Sequence, residues 1–119
     1  MDLSKQPDLN NPRQVGMNWL ITGGCGFIGT NLIKYLVHRG NHRIRTVDNL
    51  SVGTTDDLEK VCTFKCKKVE DLSNRFGEGE CLVEFIKGDL LDDQLALKAA
   101  LGADVFFHLA AKTGVAHSV

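Results

Sequence analysis

Apolar residues along the chain fall into short blocks whose period switches between strand-like and helical. Trp19-Leu20-Ile21 is a short apolar run that reads as a first strand. Phe27, Ile28, Leu32, Ile33, Leu36 and Val37 then recur at helical spacing, and the helix stops at Gly40 with His38 and Arg39 in its last turn. Residues 43–47 alternate and are β-branched enough for a second strand, which ends at Asp48. Residues 54–60 predict a short helix with Thr54 or Thr55 as N-cap and acidic residues in its first turn. Residues 82–87 form a third strand that ends at Gly88-Asp89. Asp92 and Asp93 open a helix in which Leu91, Leu95 and Ala99, flanked by Leu97 and Leu101, keep helical spacing until Gly102. Residues 105–109 make a fourth strand, nearly all apolar, as a parallel strand covered on both faces should be.

This alternation, joined by right-handed crossovers, predicts an α/β fold: a Rossmann-like, doubly wound parallel sheet in the order 3-2-1-4, of which only the N-terminal portion is present. Residues 1–16 are polar and read as an arm; residues 17–119 read as one incomplete α/β domain. Between the second and third strands, residues 61–80 are polar, lysine-rich and interrupted by glycine. They predict a surface excursion with a helical turn around residues 69–75. The closing residues, 114–119, look like the start of a further helix, so the chain is expected to be a fragment.

Charge narrows the partners. The 14 basic and 15 acidic residues are dispersed and the net charge is −1, so no basic stripe recommends nucleic acid. No apolar run reaches membrane-spanning length and the first sixteen residues lack a signal-peptide core, so a cytoplasmic location without membrane attachment is expected. Of the four cysteines only Cys62 and Cys66 are close in sequence, and they lack the second ligand pair of a zinc site. All four are expected to be reduced thiols.

Candidate chemistry is concentrated in Thr22-Gly23-Gly24-Cys25-Gly26-Phe27-Ile28-Gly29, which lies between the first strand and the first helix. Gly23 permits a tight turn, Gly26 lets a pyrophosphate approach the backbone, and Gly29 lets the helix pack close to the strand. The helix N-terminus aims unpaired N–H groups and its positive dipole end at the same place. Cys25 lies just before that helix, where a dipole can stabilise a thiolate; the plainer reading is a small side chain chosen for fit. Asp48 ends the second strand nineteen residues after Gly29, where a carboxylate can accept from ribose hydroxyls. It would also repel a 2′-phosphate, and neither Asn49 nor Leu50 relieves that repulsion, which favours NAD over NADP. A helix or turn cap is the structural alternative for Asp48. Arg43 and Arg45 read as solvated charges flanking a strand end.

Four motifs in order carry a resemblance. Thr22-Gly23-x-x-Gly26-x-x-Gly29, Asp48-Asn49-Leu50-Ser51-x-Gly53, Gly88-Asp89-Leu90 and His108-Leu109-Ala110-Ala111 together resemble the N-terminal part of the extended short-chain dehydrogenase/reductase family, in particular its NAD-dependent sugar-nucleotide epimerases and dehydratases. The resemblance spans residues 17–119 and leaves the arm unmatched. It implies NAD as cofactor and a binding set of Gly23, Gly26, Phe27, Ile28, Gly29, Asp48, Asn49, Leu50, Ser51, Gly53, Asp89, Leu90, Leu109, Ala110, Ala111 and Lys112. Within that set Asp89 and Leu90 would meet the adenine, and Ala110-Ala111 would allow close passage of the cofactor. Lys112 would either reach a phosphate or remain a solvated loop lysine. A nucleoside-diphosphate sugar is the implied substrate of the parent protein, and a homodimer its expected assembly.

The same resemblance says what is missing. The family's catalytic tyrosine sits in a Tyr-x-x-x-Lys motif after the fourth strand, and this chain has no such motif; its only tyrosine, Tyr35, lies on the first helix. No catalytic residue is therefore assigned, and His108 is read as a core histidine. The expected function is the NAD-binding portion of an enzyme that transiently oxidises a sugar, with a non-catalytic NAD-sensing domain as the alternative.

Overall fold

The computed structural model describes residues 16–50 and 53–109; the expectations for the arm, Ser51, Ala110, Ala111 and Lys112 fall outside the described residues. The elements are β1 (Asn18–Thr22), α1 (Phe27–Arg39), β2 (Arg43–Asp48), α2 (Thr55–Glu59), β3 (Lys65–Cys66), a single 3-10 turn (Val69–Asp71), β4 (Val83–Lys87), α3 (Asp93–Ala100) and β5 (Val105–His108). They form one sheet in the order β3-β4-β2-β1-β5, and every strand pair in it is parallel. The four expected strands are β4, β2, β1 and β5, in the expected 3-2-1-4 order. The addition is β3, a two-residue edge strand too short and too polar to show a period.

Alternation along the strands divides the core into two layers. On one face Ile21, Ile44, Val83 and Phe85 pack with Ile33 and Leu36 of α1 and Leu58 of α2. On the other, Leu20, Val47 and Ile86 pack with Leu95 and Ala99 of α3 and with Leu72 and Phe76. The last two residues correct the reading of 61–80 as a surface excursion. Leu72 and Phe76 reach back under the sheet and are buried, and the helical turn shrinks to Val69–Asp71.

The helix ends follow local chemistry. Thr54 caps α2 in a reciprocal capping box with Asp57. Asp92 caps α3 by accepting from the N–H groups of Gln94 and Leu95. Gly40 closes α1 with a positive φ of 84°, its N–H donating to Leu36 and Val37 carbonyls. Around α3 the apolar stripe is only half used: Leu95 and Ala99 are buried while Leu91, Leu97 and Leu101 are exposed.

Two further expectations are corrected by position in the sheet. Among the described residues β5 pairs only with β1 and is not covered on both faces: Phe106 and Phe107 are 57% and 41% exposed, with Phe107 stacked against the Trp19 ring of β1. Arg45 is not a solvated charge but fully buried, for β2 is an interior strand and its neighbour β4 presents Glu84 directly opposite. Among the described residues, no helix is long and apolar enough to cross a membrane.

Candidate functional site

Parallel strands end together, so the segments that follow β1, β2, β4 and β5 all emerge at one edge of the sheet. The chain order reverses between β1 and β5: β2 and β4 lie on one side of β1, and β5 on the other. Such a reversal opens a crevice at the carboxyl ends of the strands, the place where α/β sheets bind ligands.

Hydrogen bonds tie the four sequence motifs together at this edge. The Gly23 N–H donates to the Val47 carbonyl at 2.8 Å, joining the glycine loop to β2. Asp48 accepts the Cys25 N–H on Oδ2 at 2.8 Å and the Leu50 N–H on Oδ1 at 2.7 Å. Gly88 N–H donates to the Asp48 carbonyl at 3.1 Å, which brings in the third motif. Leu109 N–H donates to both the carbonyl and the hydroxyl oxygen of Thr22, at 3.0 and 3.1 Å, which brings in the fourth.

The glycine loop has the shape its spacing requires. Gly23 turns with φ of 78°, a conformation other L-residues rarely adopt. A Cβ at Gly29 would collide with the Gly23 carbonyl and lie 2.7 Å from Gly24 Cα, so α1 can approach β1 only with glycine there. Gly26 behaves differently. It is the N-cap of α1, and among the described residues a Cβ there would meet only the Gly23 carbonyl at an ordinary 3.5 Å, so these leave the space beside it open. No side chain caps α1 and no acidic residue lies in its first turn, so the N–H groups of its first turn are left for another acceptor. Phe27 and Ile28, the first two residues of the helix, are 82% and 64% exposed although apolar.

The second motif wraps around the first. A Cβ on Gly53 would strike the Cys25 carbonyl and lie 3.1 Å from Gly26 N, so the loop after β2 closes directly on the glycine loop. Leu50 turns with φ of 63°, held by the Asp48 carboxylate, and Asn49 is exposed. Asp48 therefore caps the turn as well as closing β2. Each carboxylate oxygen retains a second acceptor direction, which leaves room for a hydroxyl donor beside the two backbone donors. In the third motif, Asp89 is exposed, and its Oδ1 accepts the Leu91 N–H at 2.9 Å; Leu90 packs against the α3-side core.

Sequence reasoning missed three participants. Gly24 is as constrained as Gly29: a Cβ would run into the Thr46 hydroxyl and lie 2.9 Å from Ile33 Cδ1. Thr46 itself donates to the Ile21 carbonyl at 2.9 Å, tying the middle of β2 to β1 beneath the loop. Thr22 is the third: its hydroxyl lies 2.7 Å from His108 Nδ1, so His108 is an exposed residue at the strand end rather than a core histidine. The correction follows from β5 being an edge strand.

Cys25 is buried in the loop, and burial followed by the nearby Asp48 carboxylate pushes its thiol up to about 12. Desolvation and the like charge of Asp48 both disfavour a thiolate, which supports the plainer reading of Cys25 as a small side chain that fits the loop. Among the described residues no group of His, Cys, Asp and Glu is arranged to hold a metal ion.

Comparison with known proteins bears on this edge. Residues 19–119 match the model of the NAD dependent epimerase/dehydratase family. The chain belongs to that family. The cofactor of the family is NAD, in agreement with the expectation from Asp48 and the glycine loop. A UDP-glucose 4-epimerase of Mycolicibacterium smegmatis is 35% identical over 104 residues, which cover 87% of this chain and 28% of that protein. The solved UDP-N-acetylglucosamine 4-epimerase of Methanobrevibacter ruminantium M1, in complex with UDP-N-acetylmuramic acid, shares the fold with a TM-score of 0.60 and 31% identity, over 87% of this chain and 27% of that one. The Bordetella bronchiseptica enzyme WbmG in complex with NAD and UDP has a TM-score of 0.62 and 27% identity, over 85% of this chain and 27% of that one. The chain therefore spans little more than a quarter of the relatives that it resembles.

Proposed function

We propose that this chain is the cofactor-binding portion of an NAD-dependent sugar-nucleotide epimerase or dehydratase. The observation that carries the proposal is the uncapped N-terminus of α1 with open space at Gly26, set at the switch point between β1 and β5. A dianionic pyrophosphate fits there: it supplies acceptors for the free N–H groups and meets the positive end of the helix dipole. Gly23, Gly26, Phe27, Ile28 and Gly29 would hold that group. Asp48, Asn49, Leu50, Ser51 and Gly53 would hold the adenosine ribose, and Asp89 with Leu90 the adenine. Leu109, Ala110, Ala111 and Lys112 would flank the cofactor on the β5 side.

When bound, NAD supplies a hydride acceptor for the sugar ring; this chain's residues bind and orient it. A nucleoside-diphosphate sugar as substrate of the parent protein is supported by relatives solved with UDP-sugars and with UDP. This sequence has no Tyr-x-x-x-Lys motif, so no residue of this chain is given a role in turning over the sugar. Phe106 and Phe107, exposed on β5 among the described residues, support self-association of this chain.

Titration of the parent protein with NAD and NADP, followed by assay of UDP-sugars for epimerisation or dehydration, tests this. Binding of NAD in preference to NADP together with conversion of a nucleotide sugar is expected. Binding of NAD without any conversion would favour a sensing domain, and failure to bind NAD would overturn the proposal.

A further inference from the structure

A pair of cysteines lies outside the site described above. β3 and β4 run parallel with Lys65 opposite Glu84 and Cys66 opposite Phe85. The same offset, carried three residues back beyond the ladder, brings the Cys62 segment alongside Cys81. The side chains support this placement: Cys81 Sγ lies 3.9 Å from the carbonyl oxygen of Thr63, the residue next to Cys62, and Phe64 packs edge-on against Phe85 with ring centroids 6.0 Å apart. Neighbouring parallel strands are about 4.8 Å apart. That separation is within the Cα–Cα range of a disulfide, roughly 4.4–6.8 Å. Both residues lie just outside the ladder, each held by backbone hydrogen bonds: the Cys62 N–H donates to the Leu58 carbonyl at the end of α2, and Cys81 exchanges two backbone hydrogen bonds with Glu78 before β4; the adjustment that a bridge needs therefore falls to the side chains. Both are free thiols and both are partly exposed. Cys66 is exposed but, four residues further along the chain from Cys62, lies roughly 13 Å away at the rise of an extended strand, beyond bridging distance.

We propose that Cys62 and Cys81 form a modification site that closes into a reversible intrachain disulfide by exchange with a low-molecular-weight disulfide, stapling residues 63–80 at their base. Burial, and then the neighbouring Cys81, pushes the Cys62 thiol up to about 11, so it stays protonated at neutral pH and acts second. Cys81, as thiolate, attacks one sulfur of the small disulfide; a mixed disulfide forms on Cys81, and one small thiol leaves and takes a proton. Cys62 gives its proton to solvent and attacks Cys81 Sγ, expelling the second small thiol. Two cysteine thiols are oxidised and one small disulfide is reduced to two thiols. The product restricts the unfolded chain across residues 63–80, which include the buried Leu72 and Phe76.

The test is to equilibrate the protein with oxidised glutathione and map its peptides without reduction. A Cys62–Cys81 linkage is expected as the main intrachain product, forming faster as pH rises from about 7 to about 9 and reversed by dithiothreitol. Cys66→Ser should leave it intact, and Cys62→Ser should trap glutathione on Cys81. The oxidised protein should melt at a higher temperature than the reduced. Glutathione on both Cys62 and Cys81 without linkage, a linkage through Cys66, or no reaction at either residue would each overturn the proposal.

Discussion

Arg45 and Glu84 form a fully buried ion pair across β2 and β4, Nε to Oε2 at 2.5 Å. The remaining guanidinium N–H groups donate to the carbonyls of Lys98, Ala99 and Leu101 at the end of α3 and to those of Ser73 and Arg75. The guanidinium carbon lies 3.9 Å from the centre of the Phe76 ring. Lys67 Nζ stands 3.5 Å from the other carboxylate oxygen, longer than a hydrogen bond but within ion-pair range. One side chain thus joins two strands, a helix end and the 61–80 segment. The excess of carbonyls around it matters physically, since a buried cation is tolerated only when its donors are satisfied.

Glu84→Gln should therefore destabilise the protein by about 3–5 kcal/mol, the cost of leaving a buried charge without its partner. Urea unfolding of both proteins checks this. A loss under about 1 kcal/mol, the range of an exposed pair, would show that the site is wetter than its burial implies.

Gly26→Ala and Gly29→Ala should separate binding from folding. At Gly29 the added methyl runs into backbone, and a cost of about 1–3 kcal/mol in stability follows. At Gly26 the methyl meets nothing closer than 3.5 Å, so stability should hold while NAD affinity falls at least about tenfold, roughly 1.4 kcal/mol. Equal NAD affinity in the Gly26 variant would place the pyrophosphate elsewhere.

Asp48→Ala should weaken NAD binding and narrow the gap to NADP, by about 1.5–3 kcal/mol for loss of a charged hydrogen bond. It should also loosen the glycine loop, because the Cys25 and Leu50 N–H groups lose their acceptor. Asp48→Asn keeps an acceptor for one of those two donors and should recover part of the loss. Titration of both cofactors against the three proteins reads the effect, and an unaltered NAD affinity in Asp48→Ala would remove the residue from the site.

His42 sets a pH dependence. It is buried, and its Nδ1 accepts from the Trp19 ring N–H at 3.1 Å and from the Met17 N–H at 3.3 Å, an arrangement that needs a neutral ring. Burial, reinforced by Arg39, lowers its pKa below the ordinary 6.5. The unfolded chain then binds more protons than the native one as pH falls through 6.5 towards the lowered value. Stability from this group is complete above that window and declines within it. Melting temperatures of the protein and of His42→Gln between about pH 7 and pH 5 should show a shallower fall in the variant; parallel curves would acquit His42.

Thiol labelling at neutral pH should mark Cys66 first and Cys25 last. Cys66 is exposed, whereas Cys25 is buried and its thiol is held near 12. Rapid labelling of Cys25 in the native protein would mean that the loop opens.

The amino-acid sequence by itself determined the elements whose period is strong and whose ends carry caps: β1, α1, β2, α2, β4, α3 and β5, and through the right-handed crossover their order in the sheet. It also determined the glycine loop, because the roles of Gly23 and Gly29 depend on backbone geometry within a few residues. Only the tertiary structure decided what faces what. Arg45 reads as an exposed charge until β4 supplies Glu84 opposite it, thirty-nine residues away in sequence. Phe76 reads as part of a polar segment until it folds back over that guanidinium. His108 reads as core until β5 is seen to lie at the edge of the described sheet, with its ring exposed and hydrogen-bonded to Thr22. The convergence of the four motifs is likewise a product of parallel strands ending together, since each bond that joins them spans residues far apart in the chain. Burial and charge pairing are properties of long-range neighbours, which local periodicity does not encode.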